Sequence, residues 1–575
     1  MTESAPRLAL LARALLMALA GAIVTLAVVG GMLGFSPVPY WDMWDAHLAF
    51  FLHLPETGPG LWWSQHNEHR ILLGRLLFYA DLQWFDGAVW PLIVANHVLL
   101  LGSTTLFLTA LRDAQSNQAD PLLTPALGAL LVAWLWSWMQ AENLLWALQG
   151  KFFLAQLLPA LALFLLYRSA RAPTGRLAFV GACAAGVASL GTMANGMLAL
   201  PLLTVLALVS RQSSARVVSL AALSVLGLAL YLHDFSTVDR HGSLVQALRD
   251  NPFGLAHYVL LYLGSPFHYL SGGGSAGHLA AALAGGLLLG LTGWRGVLYL
   301  RGPRRLTIEA ALLAYIVYIA ATALATGAGR FPLGVIEQAL SSRYTTPTLM
   351  AWAALLLLYV GFLARQSTPM RLGFLAVALL LGASLLKLQL QALNPGDTVF
   401  RRDAAGLALS LQIHDQERIQ AVYPDAAVAL PLAARARAAG LTVLAEPPFR
   451  DAPRAMEAAF PVETTRSCIG YLDHHAPLST PTDQLYISGW VHAPEAGAPP
   501  TMVQILDHNG QPAGVAITGG HRPDVGRAVD PDAVRSGFSG YLRSDALEGP
   551  LTVQGIHGPD CRGALRRSAQ GTETS

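Results

Sequence analysis

Two carboxylates stand three residues apart in the run Tyr40-Trp41-Asp42-Met43-Trp44-Asp45. On a helix that spacing puts both on one face. A carboxylate held near a membrane surface can take the proton of an acceptor hydroxyl, or it can ligate a metal. A second polar group, His66-Asn67-Glu68-His69-Arg70, follows in the same segment. Two histidines three apart make half a metal site, and no further ligand stands at a zinc-like spacing. Glu68 reads as a partner carboxylate, Arg70 as a clamp for phosphate or carboxylate. Each group also has a plainer reading. Asp42 can cap a helix, Trp41 and Trp44 can be interface aromatics, and the second cluster can be the polar face of a surface helix.

More charge flanks the polar loops between apolar stretches: Glu142 and Lys151 around one, Arg330 and Arg343-Tyr344 around another. Arginine on the outer side of a membrane runs against the usual loop bias, so it calls for a reason. Pairing with the phosphate of an anionic lipid is one, and anchoring to headgroups is the other.

The elements that must position these residues follow from composition. The 575-residue chain is 54% hydrophobic and 13% charged, where soluble chains carry about 25% charged residues. The shortage is concentrated in residues 8–390, which marks a polytopic membrane protein. A net charge of +2 argues against a nucleic-acid partner. Eleven apolar stretches are long enough to be read as spans: 8–34, 89–111, 122–138, 152–169, 177–193, 197–210, 217–233, 277–298, 307–327, 345–364 and 372–390. The first is too long for a signal-peptide core and is read as a retained span. The stretch 253–270, with its Asn-Pro and Gly-Ser-Pro breaks, suits a surface or re-entrant helix better than a full span.

Arginine sets the orientation. Arg168, Arg171 and Arg176 share one loop, and Arg211 with Arg216 another. Arg295, Arg301, Arg304 and Arg305 form a third group, Arg365 and Arg371 a fourth. Eleven spans with a cytoplasmic N-terminus put all four groups inside and residues 391–575 outside. The same arrangement puts 35–88, 139–151, 194–196, 234–276 and 328–344 on the outer face. Segment 35–88 shows helical spacing at Ile71, Leu72, Arg75, Leu76 and Tyr79, so helices lying along the membrane are expected there.

Beyond 390 the composition changes. Residues 391–460 hold an Ala-rich helical run, Asp425–Gly440, and a strand-like Leu441-Thr442-Val443-Leu444. Residues 461–568 alternate short β-prone runs with Gly, Pro and Asp turns, which suggests a small β-sandwich; 569–575 read as a disordered tail. The expected fold is therefore mainly α, with about eleven transmembrane helices, a soluble α/β segment and a β-sandwich. Of three cysteines, Cys183 lies in an apolar stretch and reads as packing. Cys468 and Cys561 become a natural disulfide pair if the C-terminal part faces an oxidising compartment.

Taken together, the layout of residues 8–390 resembles the GT-C superfamily of membrane glycosyltransferases. The features that carry the resemblance are the acidic residues just after the first span and the arginines in late outer segments. Trp146-Ala147-Leu148-Gln149-Gly150-Lys151-Phe152-Phe153 and Ser342-Arg343-Tyr344 add to it. The resemblance implies an inverting transferase of the bacterial inner membrane. Its donor would be a polyprenyl-phosphate-linked sugar, and its acceptor a glycan, a lipid or a protein. Asp42, Asp45 and Glu68 would carry catalysis, while His66, His69, Arg70, Lys151, Arg330, Arg343 and Tyr344 would bind the donor. The Asp-x-x-Asp spacing departs from the tight acidic pair of the best-known members, which leaves the base and the need for a divalent metal, Mg or Mn, open. Gly489-Trp490-Val491, Arg522-Pro523-Asp524-Val525 and Ser536-Gly537-Phe538 look similar to a small β-domain appended to bacterial glycan-assembly proteins. Its role would be structural, a turn held by an Arg–Asp pair, or glycan binding.

Other functions make different demands. A flippase or transporter of lipid-linked glycans should show paired halves with broken helices and mid-membrane charge. A ligase or polymerase would place its chemistry in a large late loop, and a scaffold would be indifferent to loss of Asp42.

Overall fold

A computed structural model describes residues 4–115, 123–171, 175–236, 242–330, 336–480 and 482–567. The expected tail at 569–575 lies outside the described residues, as does 331–335 of the late polar segment.

Among the described residues, eight helical stretches are long and apolar enough to cross a membrane: Leu8–Leu33, Trp90–Ala114, Ala147–Arg168, Ser214–Leu232, Gly274–Arg301, Ile308–Arg330, Ser342–Ala364 and one within Thr368–Ser410. The protein is therefore a membrane protein by its helices. Eleven were expected, so by length the count among the described residues is three lower. The other three stretches do form helices, but as described they are shorter: Leu123–Leu135, Gly175–Ser189 and Ala199–Val209. At 1.5 Å per residue, 11 to 15 residues fall well short of a hydrocarbon core roughly 30 Å thick. Segment 253–270 forms the 19-residue helix Pro252–Leu270, started by Asn251, whose side chain accepts the N–H of Gly254. It packs hard against Gly274–Arg301. A Cβ on Gly264 would fall 1.8 Å from the Ala281 carbonyl oxygen, and one on Gly285 would fall 2.1 Å from that of Leu260. Glycine is what lets the two backbones meet.

The chain forms two compact units, and the division runs through the first polar segment. One unit holds 1–33, 59–77 and 92–394, and the other holds 34–58, 78–91 and 395–575. The first is the helix bundle. In the second, Trp44, Leu48 and Leu82 share a core with Leu407, Val422, Ala429 and Leu444. The Asp42–Asp45 run thus belongs with the C-terminal residues rather than with the spans that flank it in sequence.

The Ala-rich run is a helix, Ala426–Ala438, capped by the Asp425 carboxylate on the Ala427 N–H. It stops at Gly440, whose φ of +71° suits a residue without a side chain. The strand expected at 441–444 is instead a short 3-10 turn, Val443–Ala445. The residues are β-prone, but Leu441 and Leu444 are drawn into a core with Leu407, Val422 and Ala429.

The C-terminal domain is a closed barrel, not a sandwich. Its strands are β1 (Ile469–Pro477), β2 (Gln484–His492), β3 (Met502–Leu506), β4 (Pro512–Gly520), β5 (Gly537–Arg543), β6 (Leu551–His557) and β7 (Arg562–Arg567). The order around the barrel is β1-β2-β5-β4-β3-β6-β7. Every pairing is antiparallel except the closing seam, where β1 meets β7 in parallel through Gly470–Leu565, Tyr471–Arg566 and Leu472–Arg567. Alternate residues such as Ile487, Val491, Val503, Ile505, Phe538 and Val553 fill the interior. Cys468 and Cys561 form a disulfide beside that seam.

The motif residues of the barrel have structural jobs. Arg522 clamps Asp524 with hydrogen bonds from Nε at 3.0 and 3.2 Å and from Nη2 at 2.7 Å, and it also reaches Asp473. A Cβ on Gly489 would lie 2.1 Å from the Tyr471 carbonyl oxygen, and one on Gly537 would meet the Gly520 backbone at 2.9 Å.

Candidate functional site

In the bundle unit, one cluster of charge forms at helix ends. The chain reverses tightly at His66-Asn67-Glu68-His69, where His66 and His69 exchange backbone hydrogen bonds of 2.8 and 2.9 Å. Asn67 takes φ +49°, a left-handed conformation that asparagine tolerates. The turn presents Glu68 and His69 side by side. Glu68 Oε1 lies 3.6 Å from His69 Nε2 and 3.7 Å from an Arg330 guanidinium nitrogen. His69 Nδ1 accepts the N–H of Ala194, so the proton of the neutral ring sits on Nε2, facing Glu68. Burial pushes the His69 imidazole down to about 4; Glu68 opposes this, and Lys151, His66 and Arg330 add to it. His69 is therefore neutral near pH 7. Lys151, 3% exposed in the first turn of helix Gly150–Arg168, is within electrostatic reach of it.

A second acid–base pair forms where residues 138–145 meet 341–346. The Glu142 carboxylate accepts the Arg343 N–H and the Ser341 hydroxyl, each at 3.2 Å, and lies 3.7 Å from the Arg343 guanidinium. Asn143 ties the segments together by donating to the Arg343 carbonyl and to the Thr346 hydroxyl. Its own carbonyl accepts from Asn96. The polar run Ser341-Ser342-Arg343-Tyr344-Thr345-Thr346 is thus stitched to its neighbour rather than left as a mobile loop. Tyr344 is buried, stacks with Tyr262 at 5.2 Å, and lies under the Arg343 guanidinium.

Tyr258 joins the two pairs. Its hydroxyl has both Arg330 and Arg343 among its electrostatic neighbours. Three cations, Lys151, Arg330 and Arg343, and two carboxylates, Glu68 and Glu142, thus lie within electrostatic reach of His69, Tyr258 or each other. The side chains of Arg330 and Arg343 are 29% and 28% exposed, so both can be reached from outside.

Arg70 differs from expectation. Its guanidinium donates to the carbonyls of Trp63, Tyr231 and His233, and the side chain is buried. Arg75, whose own role went unread in the sequence, does the same for Leu61, Trp62 and Ser64. Both arginines act as struts that hold 59–66 in place.

Asp42 and Asp45 lie in the other unit, so the structure does not group them with Glu68, Arg330 or Arg343. They sit at the start of a wide helical turn, Trp44–Ala49, that runs into helix Phe50–Thr57. Asp45 is exposed and receives the Tyr423 hydroxyl at 3.2 Å on each oxygen. Burial and then the carboxylates of Asp45, Asp42 and Asp425 push the Tyr423 phenol up to about 12. Asp42 precedes the helical turn and lies within electrostatic reach of Tyr423. The segment is held from beneath by His47, at 3.1 Å from Asp81 with both side chains fully buried, and from the side by Arg402 over the Tyr40 ring at 3.9 Å.

Among the described residues, no group of three or more His, Cys, Asp or Glu side chains is placed to hold a metal ion. No protein-family model, curated protein or solved structure matches the chain.

Proposed function

We propose that the protein is an inverting glycosyltransferase that uses a polyprenyl-phosphate-linked sugar. The observation that carries this reading is the cluster of Lys151, Arg330 and Arg343 at helix ends of a bundle that is otherwise poor in charge. A phosphate on a long apolar tail is the ligand whose two halves match those surroundings. In the reaction the bond from sugar C1 to the phosphate oxygen breaks, and its electron pair stays on that oxygen. An acceptor hydroxyl oxygen bonds to C1 from the opposite face, and its proton passes to a carboxylate. The phosphodiester monoanion becomes a phosphate dianion, so the enzyme must stabilise growing negative charge and supply a base. Arg330 and Arg343 are proposed to grip the phosphate, with Lys151 adding positive potential. His69, neutral near pH 7, can donate from Nε2. Asp42, Asp45 and Glu68 are the proposed bases.

The acceptor is proposed to be a glycan, lipid or protein. The working face is proposed to be periplasmic, with the protein in a bacterial inner membrane and residues 391–575 outside the cytoplasm; from a cytoplasmic N-terminus this takes an odd number of crossings, so helix Leu123–Leu135 is proposed as part of a ninth. The test is release of polyprenyl phosphate from a radiolabelled polyprenyl-phosphate sugar by protein in nanodiscs, with acceptor-bearing membranes supplied. Release is expected from the wild type, and it should fall by roughly 10²–10⁴ in Asp42→Asn or Asp45→Asn. A transporter would bind the donor and leave the C1–oxygen bond whole. Full rates in both aspartate variants would remove those carboxylates from the base role.

A further inference from the structure

We infer that the Tyr258 hydroxyl is the third arm of the phosphate grip, donating a hydrogen bond to a phosphate oxygen between Arg330 and Arg343. This deepens the donor-phosphate reading and rests on it. Tyr258 is fully buried on helix Pro252–Leu270, and its hydroxyl has no hydrogen-bond partner among the described residues. Leaving a buried hydroxyl unmade is costly, and such groups in folded proteins normally have a partner. The two flanking guanidinium groups are donors and cannot accept its proton. An anionic oxygen can accept from all three.

Packing on two sides locates the group. Its ring lies against Gly327, where an added Cβ would come within 2.8 Å of it, and Arg330 follows one turn later on helix Ile308–Arg330. Tyr262, one turn along from Tyr258, stacks on Tyr344, the neighbour of Arg343. Tyr258 is thus bracketed by the elements that carry the two arginines, and its electrostatic neighbours are Tyr344, Arg330 and Arg343.

The chemistry gives the hydroxyl a purpose beyond binding. When C1 leaves, the phosphate gains one more anionic oxygen. A donor that engages the product dianion better than the donor monoanion favours bond breaking. The free polyprenyl phosphate should therefore lose more affinity than the sugar-loaded donor when the hydroxyl is removed.

The test uses the full chain in nanodiscs, with polyprenyl phosphate, inorganic phosphate and phosphate-free polyprenol as probes. Tyr258→Phe should weaken polyprenyl phosphate binding by roughly tenfold or more, the size of one hydrogen bond to a charged group. Its thermal midpoint should equal or exceed that of the wild type, because an unmade buried hydroxyl is gone. Weaker competition by inorganic phosphate in the same variant would support contact with the phosphate itself. A fall seen only with lipid-borne phosphate would support contact in the lipid-seated pose. An equal loss for polyprenol would overturn the inference by assigning Tyr258 to the tail. Unchanged polyprenyl phosphate binding in Tyr258→Phe, with loss in Arg343→Ala, would overturn the role of Tyr258 alone. Unchanged binding in both would overturn the donor-site reading as well.

Discussion

Removing the disulfide should open the barrel at one place. Cys468 precedes β1 and Cys561 precedes β7, and 93 residues separate them in sequence. Their strands form the barrel's one parallel pairing, three residue pairs long. The chain-entropy account gives a closed loop of that length roughly 4–5 kcal/mol. That is a large share of the 5–15 kcal/mol typical of a folded domain. For a unit of about 200 residues, each kcal/mol shifts the midpoint by roughly 2–4 °C, so the loss should be on the order of 10 °C. The perturbation is Cys468→Ala with Cys561→Ala in the full chain. Alanine suits two sites that are 4% and 0% exposed. Differential scanning calorimetry reads the midpoint, and hydrogen exchange reads where opening begins. Amides of Gly470–Leu472 and Leu565–Arg567 should lose protection before those of β3 and β4. A shift under about 2 °C, or a seam as protected as the rest of the barrel, would refute the reasoning.

Acid should loosen the bundle unit through His69. Its folded value of about 4 lies below the ordinary 6.5, so the unfolded chain binds more protons between those limits. Stability should hold above pH 6.5, fall as pH drops toward 4, and level off below; the full effect is about 3 kcal/mol. His69→Asn keeps an acceptor for the Ala194 N–H and should flatten that slope, so an unchanged slope would assign it to other groups. Topology has its own test: a reporter fused after residue 400 should be active only when exported, and a cytoplasmic signal there would reject the proposed orientation.

Some of this was legible in the sequence and some was not. Every apolar stretch read as a span became a helix, because a low-charge run leaves the backbone no better way to satisfy itself. Length, not position, was misjudged at Leu123–Leu135, Gly175–Ser189 and Ala199–Val209. The barrel's strands show in their alternation, but its closure does not. β7 is the Arg-rich run Arg562–Arg567, and its partner β1 lies far back along the chain, a pairing no local pattern announces. The cysteine pair was the sole hint that those ends meet.

Arg330 and Arg343 stood out because outer arginines are uncommon. Arg70 stood out for its place in the His66–Arg70 cluster, yet two of the carbonyls it serves, those of Tyr231 and His233, lie more than 160 residues away. A charge in a sequence does not say which carbonyls will surround it. Tyr258 gave no signal beyond its four-residue spacing from Tyr262, which reads equally well as core.

The central claim is that Arg330 and Arg343 hold the donor phosphate, and donor affinity tests it most directly. Binding of a polyprenyl-phosphate sugar to nanodisc-held protein should weaken by roughly tenfold or more in Arg343→Ala and in Arg330→Ala, with thermal midpoints recorded alongside. Arg343→Lys should recover little, because an ammonium does not reproduce two parallel hydrogen bonds. Unchanged affinity in all three variants would contradict the account and leave these arginines as headgroup anchors.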